Sequence, residues 1–279
     1  MKRIQLLPNV LTAFGLTCGL LAIFKLNMTE VGEANQSVLY VTAGLLLLAG
    51  IFDLLDGAVA RAFNAESEFG GLFDSLADGI TFGVAPSVII LKSLSVAPGT
   101  IYSFLITTAC LVYTVCGVLR LVRFNVMALH AKQNVELEQA NQKNFTGLPI
   151  PAAAAAAVSL NMFLVSNDFT KFIQLSDHDR ALVLFVALML IGYFMISRWK
   201  FPSLKRMQFR VATFQVVLIT VIVAVFIFYG ILHHFSSVFF AISWAYVILA
   251  WCLSLFRVIA GRRTKALEDF EPEPDDELL

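Results

Sequence analysis

Four aspartates between residues 53 and 78 fall in stretches of sequence that are otherwise apolar. They belong to a spaced set of polar, small and basic positions: Asp53, Asp56, Gly57, Ala60, Arg61, Gly70, Asp74 and Asp78. An Asp inside a membrane segment costs a few kcal/mol unless it faces protein, water, a partner charge or a metal. These aspartates therefore predict a functional site at the membrane.

Helical spacing gathers the set into two groups. Positions i, i+3, i+4 and i+7 of a helix share one face. The first group has this spacing and comprises Asp53, Asp56, Gly57 and Ala60. Asp74 and Asp78 lie one turn apart, and Gly70 comes one turn earlier. The small residues beside both acidic pairs predict room for a bulky substrate against bare backbone.

Divalent metal binding is the chemistry that these carboxylates suit best. Hard cations take oxygen ligands, and one or two Mg²⁺ or Mn²⁺ ions would serve phosphate groups. The predicted metal ligands are Asp53, Asp56, Asp74 and Asp78. Arg61 fits a phosphate-oxygen ligand or a counter-ion to the acids. A role as a topology charge alone is the alternative for this arginine.

The composition is that of a polytopic membrane protein. Of 279 residues, 58% are hydrophobic and 14% are charged, so an ordinary soluble domain is excluded. The net charge of zero gives no indication of a nucleic-acid partner. Cys18, Cys110, Cys116 and Cys252 lie in apolar stretches without metal-ligand spacing, so we predict buried thiols and no disulfide.

Apolar runs of about 20 residues, the length that crosses a bilayer, predict an all-α bundle of eight transmembrane helices. They lie near residues 7–24, 38–60, 72–92, 100–122, 150–166, 180–197, 211–231 and 236–256. All but four of the 20 Lys and Arg residues would then share the side of the termini, which the positive-inside rule places in the cytoplasm. The exceptions are Lys25, Lys92, Lys171 and Arg180. The acidic cluster would face the cytoplasm from the inner membrane. We predict one membrane domain over residues 1–265 and a disordered acidic tail over 266–279.

The spaced set resembles the signature of the CDP-alcohol phosphatidyltransferases at every fixed position. The blocks at 73–86, 120–125 and 145–152 are similar to those of the membrane-integral phosphatidylserine synthases within that family. The resemblance covers roughly residues 5–205. It implies transfer of a phosphatidyl group from CDP-diacylglycerol to L-serine with release of CMP, two divalent ions and a homodimer.

Carried over by position, the resemblance also implies a catalytic role for Asp78 as general base. A serine hydroxyl is a poor nucleophile until its proton is removed, and a positioned carboxylate can remove it in the transition state. The motif contains no obvious spare nucleophile, so we expect one direct displacement without a phosphatidyl-enzyme.

Position and resemblance together predict the substrate-binding residues. They are Asn9, Thr12, Gly57, Ala60, Arg61, Gly70, Arg120 and Arg123. Asn9 and Thr12 could hydrogen-bond the nucleotide or could simply start the first helix. Arg120 and Arg123 suit the serine carboxylate or a phosphate, and anchoring at the membrane surface is the alternative.

Two other functions fit parts of the pattern. Within the family, the acceptor could be glycerol 3-phosphate, an inositol compound or choline. Carboxylates between membrane helices also line ion pathways, so a divalent-cation transporter is the alternative from another class. The acids lie at one membrane edge beside Arg61, which would oppose cation passage.

Overall fold

The structure is a computed structural model that describes residues 6–30, 36–63, 65, 67–131, 145–197, 200–201, 230 and 233–261. The helices are α1 (Leu6–Asn27), α2 (Gln36–Ala62), α3 (Glu68–Asp78), α4 (Ala85–Ser93), α5 (Ile101–Ala131), α6 (Ile150–Val165), α7 (Asn167–Thr170), α8 (Asp177–Ile196) and α9 (Phe235–Gly261). A π-helical turn, Gly79–Val84, joins α3 to α4. Two short strands, β1 (Phe145–Thr146) and β2 (Lys200–Phe201), pair antiparallel.

The predicted membrane helix bundle is confirmed. Over the described residues, six helical stretches are long and apolar enough to cross a membrane: Leu6–Asn27, Gln36–Ala62, Glu68–Ser93, Ile101–Val126, Asp177–Ile196 and Phe235–Cys252. The shorter apolar helix α6 matches the run predicted at 150–166. Apart from residue 230, the run predicted at 211–231 lies outside the described residues, as does the tail at 266–279.

Helix α6 lies in the middle of the bundle because its side chains are small. Ala153, Ala154, Ala156 and Ala157 are all buried. The helix contacts α2, α4, α8 and α9, and the Trp244 indole of α9 donates a 3.1 Å hydrogen bond to the Ala156 carbonyl. Small residues allow membrane helices to approach closely, so this alanine run explains the close packing of α6.

The π-helical turn follows Asp78 directly, and Pro86 explains the hydrogen bonds around it. Proline has no N–H group, so the carbonyl four residues earlier loses its usual helical donor. That carbonyl belongs to Phe82 and accepts a 2.8 Å hydrogen bond from the Tyr113 hydroxyl of α5. The Thr114 hydroxyl donates in the same way to the Gly83 carbonyl at 3.1 Å. Side chains of α5 thus donate hydrogen bonds to two carbonyls of the turn and hold the turn against α5.

Four Lys and Arg residues are predicted to lie on the side of the membrane opposite the termini. Two of them, Lys92 and Arg180, lie at the end of the bundle opposite the acidic cluster. Lys92, at the end of α4, donates to the Thr29 carbonyl at 3.1 Å. Arg180 donates to the carbonyl of Ser93 at 3.3 Å and pairs with Asp177 at 2.6 Å. Because α3 begins at Glu68 and α4 ends at Ser93, these groups lie at the far end of the same span. The structure therefore separates them from the acids, as the charge count requires.

Asp168 joins α7 to the start of α9. Its carboxylate lies 2.8 Å from the Nδ1 atom of His234 and accepts a 2.8 Å hydrogen bond from Ser237. The His234 contact, followed by that of Ser237, holds the pKa of Asp168 below its usual range. These contacts fix the entry of α9, a helix that contributes to the cavity described below.

The Tyr113 hydrogen bond yields a stability prediction. Tyr113→Phe would remove the hydroxyl donor from the Phe82 carbonyl at a site where both residues are buried. Loss of a buried hydrogen bond costs about 1 kcal/mol, so we expect a lower thermal unfolding midpoint in detergent. Tyr193→Phe is the matched control because Tyr193 lies exposed on α8. Equal midpoints for the two variants would contradict the role of Tyr113.

Candidate active site

Three of the four predicted metal ligands converge in the structure. Helix α2 brings Asp53 and Asp56, and α3 brings Asp74. One carboxylate oxygen from each lies within 4.8 Å of the other two. Asp56 is buried, with 5% of its surface exposed, while the other two are half-buried. Three close negative charges with oxygen donors form a set that fits a hard divalent cation.

Thr12 of α1 holds the most buried of these carboxylates. Its hydroxyl lies 2.5 Å from an oxygen of Asp56 and 3.1 Å from the Pro8 carbonyl, and is placed to donate to either. Thr12 is itself buried and does not line the larger cavity described below. The structure therefore places this residue behind a metal ligand, where it can position the carboxylate. The nucleotide contact predicted for Thr12 stays a prediction.

Asp78 lies one turn beyond Asp74, beside the cluster. It is half-buried and lines the same cavity as the other acids. It is not a member of the group of three whose oxygens converge. A second ion would need Asp78 together with members of that group.

A cavity of about 770 Å³ opens over the carboxylates. Its polar end is formed by Asp53, Asp56, Asp74, Asp78, Arg61, Ser75 and Arg120. Its apolar wall is formed mainly by α2 and α6 and includes Leu46, Leu47, Ile51, Leu54, Ala154 and Val158. One end of the cavity thus suits charged groups and the other suits hydrocarbon. This distribution of polarity fits an amphiphilic substrate.

Two arginines line the polar end. The Arg61 guanidinium lies over Gly57: a Cβ atom at Gly57 would lie 3.4 Å from its Nη1 atom. The arginine side chain therefore lies in van der Waals range of position 57, beside the acids of α2. Arg120 of α5 has a buried Nε atom without a hydrogen-bond partner. Its guanidinium has donor capacity for an anionic group in the cavity.

Arg123 has a different position from Arg120. It does not line the cavity, and its Nη1 atom donates a 2.9 Å hydrogen bond to the Ile196 carbonyl at the end of α8. Gly147 packs against it with a φ of 82°, and a Cβ atom there would lie 2.5 Å from the Met195 carbonyl oxygen. Arg123 thus fixes the loop before α6 onto the end of α8. The substrate contact predicted for Arg123 stays a prediction.

Three predicted substrate-binding residues lie beside the cavity without lining it: Asn9, Ala60 and Gly70. A Cβ atom at Gly70 would lie 2.9 Å from the Asn9 Oδ1 atom and 3.0 Å from the Ser67 Oγ atom. The absence of a side chain at Gly70 therefore lets α1 approach the start of α3. Ser67 caps α3 by accepting a 3.0 Å hydrogen bond from the Gly70 amide.

Sequence reasoning did not identify the contribution of α9. Phe239 and Tyr246 both line the cavity. They are seven residues apart and so share one helical face, which is the signal that could have identified them. Ser75 was not predicted as a site residue either, yet it lines the cavity and shares hydrogen bonds of 2.9–3.1 Å with Asn125 of α5.

Comparisons with known proteins identify the family of this chain. A family model described as CDP-alcohol phosphatidyltransferase matches residues 5–195. The chain is 34% identical over 200 residues to the CDP-diacylglycerol–serine O-phosphatidyltransferase of Bacillus subtilis (strain 168), covering 72% of this chain and 92% of that relative. It is 30% identical over 264 residues to the enzyme of the same name from Helicobacter pylori (strain ATCC 700392 / 26695), covering 94% and 98%.

A third relative, from Methanocaldococcus jannaschii, bears that name too and is 29% identical over 206 residues, covering 72% of this chain and 76% of its own. The family match and the six apolar spans define an integral membrane transferase. The chain belongs to the CDP-alcohol phosphatidyltransferase family.

The carboxylate geometry yields a binding prediction. Purified wild-type protein should bind Mn²⁺, as measured by the loss of the free-ion electron paramagnetic resonance signal. Asp53→Asn, Asp56→Asn and Asp74→Asn should each weaken this binding by at least about 10-fold, since each removes a charged oxygen ligand. Asp179→Asn, an exposed position in the first turn of α8, is the control. Unchanged Mn²⁺ binding in all three site variants would contradict the metal assignment.

Proposed function

We propose that the protein transfers the phosphatidyl group of CDP-diacylglycerol to the hydroxyl of L-serine and releases CMP. The observation that carries the proposal is the two-sided cavity, in which three converging carboxylates and two arginines face a wall of aliphatic side chains. Such a site fits a substrate with a charged diphosphate and apolar acyl chains. The printed names of the relatives support serine as the acceptor.

The donor would lie along the cavity with its two ends in different surroundings. Acyl chains would pack on the aliphatic residues of α2 and α6, where burial of apolar surface contributes about 25 cal/mol per Å². The diphosphate would lie at the polar end, where Arg61 can donate paired hydrogen bonds to its oxygens. The position of the Arg61 guanidinium over Gly57, near Asp53 and Asp56 on the same helix, supports this role.

When bound, one or two Mg²⁺ or Mn²⁺ ions would neutralise diphosphate charge near Asp53, Asp56, Asp74 and Asp78. Thr12 contributes indirectly by holding Asp56 in place through its hydroxyl group. A fixed carboxylate orientation lowers the reorganisation needed when substrate binds.

Asp78 is the proposed general base. Its carboxylate takes the serine hydroxyl proton as the serine oxygen bonds to the phosphorus that carries the diacylglycerol. The bond from that phosphorus to the leaving CMP oxygen breaks in the same displacement, without a phosphatidyl-enzyme. The position of Asp78 beside the group of three, and outside it, supports this division of roles. Arg120 is available to pair with the serine carboxylate or with a phosphate oxygen.

We also propose the setting of the reaction. The termini and the polar end of the cavity would face the cytoplasm from the inner membrane, so that serine enters from the cytoplasm. The separation of Lys92 and Arg180 from the acids supports this orientation. The active form would be a homodimer, as in the family resemblance. The membrane domain would span 1–265, with 266–279 as a disordered cytoplasmic tail.

Other acceptors, namely glycerol 3-phosphate, inositol, inositol phosphate and choline, define the alternative within the family. An acceptor panel with purified protein, CDP-diacylglycerol and Mn²⁺ separates them by the rate of CMP release. We expect release with serine to exceed release with every other alcohol, and EDTA to abolish it. A faster rate with another acceptor would refute the serine assignment. Mn²⁺ flux into liposomes without CMP release would instead indicate a transporter.

Asp78→Asn tests the general base separately from metal binding. This change should reduce serine-dependent kcat by about 10²- to 10⁴-fold, the usual contribution of a general base. Mn²⁺ binding should persist because Asp53, Asp56 and Asp74 remain. Asp179→Asn should behave as wild type in both assays. Near-normal kcat in a folded Asp78→Asn protein would eliminate the proposed base.

A further inference from the structure

A second, much smaller cavity lies behind the carboxylates, on the side facing α1. Its volume is about 10 Å³, close to the minimum that holds one water molecule. Its polar lining consists of Thr12, Asp53, Asp56, Asp74, Asp78 and Thr81. All four aspartates also line the large cavity, so the acidic cluster lies between the large cavity and this smaller one.

Thr81 brings a hydroxyl group to this space. The residue is buried, with 2% of its surface exposed, and its Oγ1 atom is buried without a hydrogen-bond partner. A buried hydroxyl without a partner is destabilising. Thr81 lies in the π-helical turn, three residues after Asp78 and seven after Asp74. The turn therefore adds a hydroxyl next to the acidic stripe of α3.

Helix α1 is shaped to accept this threonine. A Cβ atom at Gly19 would lie 2.5 Å from the Thr81 Oγ1 atom and 2.9 Å from its Cβ atom. A larger residue at position 19 would therefore displace Thr81. The fit means that the hydroxyl is confined between α1 and the carboxylates.

We propose that Thr81 is a positioning residue for the acidic cluster and that its hydroxyl binds one water molecule in the small cavity, which in turn holds the carboxylates. The inference rests on the proposed phosphatidyl transfer for its activity readout. Thr81 contacts no substrate in this account and acts through the orientation of the acids.

The hydrogen-bond donors and acceptors around the small cavity favour a water molecule at this position. Ionised carboxylates only accept hydrogen bonds, and a hydroxyl group donates one. The hydroxyl of Thr12 is already placed between Asp56 and the Pro8 carbonyl. A water molecule would accept from Thr81 and donate two hydrogen bonds to the surrounding carboxylates. This arrangement satisfies the Thr81 hydroxyl and ties Asp78 to the ligand cluster.

The test compares three variants of the full-length protein in detergent. Thr81→Val keeps the shape and removes the hydroxyl, while Thr81→Ser keeps the hydroxyl. Groups behind metal ligands typically contribute 10- to 100-fold to metal affinity or activity, so Thr81→Val should weaken Mn²⁺ binding and lower kcat by about that factor. Thr81→Ser should restore most of both. Thr42→Val is the matched control because Thr42 is fully buried and bonds only to carbonyls of its own helix.

Mn²⁺ binding and kcat in Thr81→Val that match those of Thr42→Val would overturn the proposal. If Thr81→Val does not fold, Mn²⁺ binding and kcat can be compared between Thr81→Cys and Thr81→Ser instead. The cysteine thiol is similar in size to the serine hydroxyl but forms only weak hydrogen bonds. Equal Mn²⁺ binding in that pair would also overturn it. Wild-type protein that binds Mn²⁺ without serine-dependent CMP release would refute the proposed function and leave the Mn²⁺ comparison valid.

Discussion

The burial of aspartates among membrane helices is the constraint on which the rest of the structure depends. Charges at this depth need a partner charge, hydrogen bonds, water or a metal. The chain supplies several of these at once: Thr12 bonds to Asp56, Arg61 lies over Gly57 beside the acids, and the large cavity opens over the carboxylates. Three converging carboxylates are costly in a protein that binds no cation. The same set is well suited to phosphate chemistry when a divalent ion is present.

The π-helical turn after Asp78 also depends on polar side chains of a neighbouring helix. Pro86 removes a backbone donor, and the π-helical turn before it leaves carbonyls that Tyr113 and Thr114 satisfy from α5. Helix α5 thereby connects the turn to Arg120, which lies on the same helix. π-helical turns often occur at functional sites. In this protein the turn determines how Asp78 and Thr81 face the cluster.

Much of the fold could be predicted because hydrophobic length and charge sidedness are local properties of the sequence. Helical spacing placed Asp53 beside Asp56 and Asp74 beside Asp78, and the preference of divalent cations for several oxygen ligands led to the prediction that all four meet; three of them converge. Contacts between distant segments were not predictable in this way. The position of Arg123 depends on the end of α8, and the role of Thr12 depends on a partner 44 residues away. The π-helical turn also escaped prediction, because Pro86 indicates a kink without specifying which side chains satisfy the freed carbonyls.

The proposed chemistry depends on a divalent ion held by Asp53, Asp56 and Asp74 at the polar end of the large cavity. Anomalous scattering from crystals grown with Mn²⁺ would locate this ion. We expect an anomalous peak in direct coordination with all three carboxylates, on the side facing the large cavity. A peak elsewhere in the protein, or no peak near these residues in a well-ordered crystal at saturating Mn²⁺, would rule out this metal site.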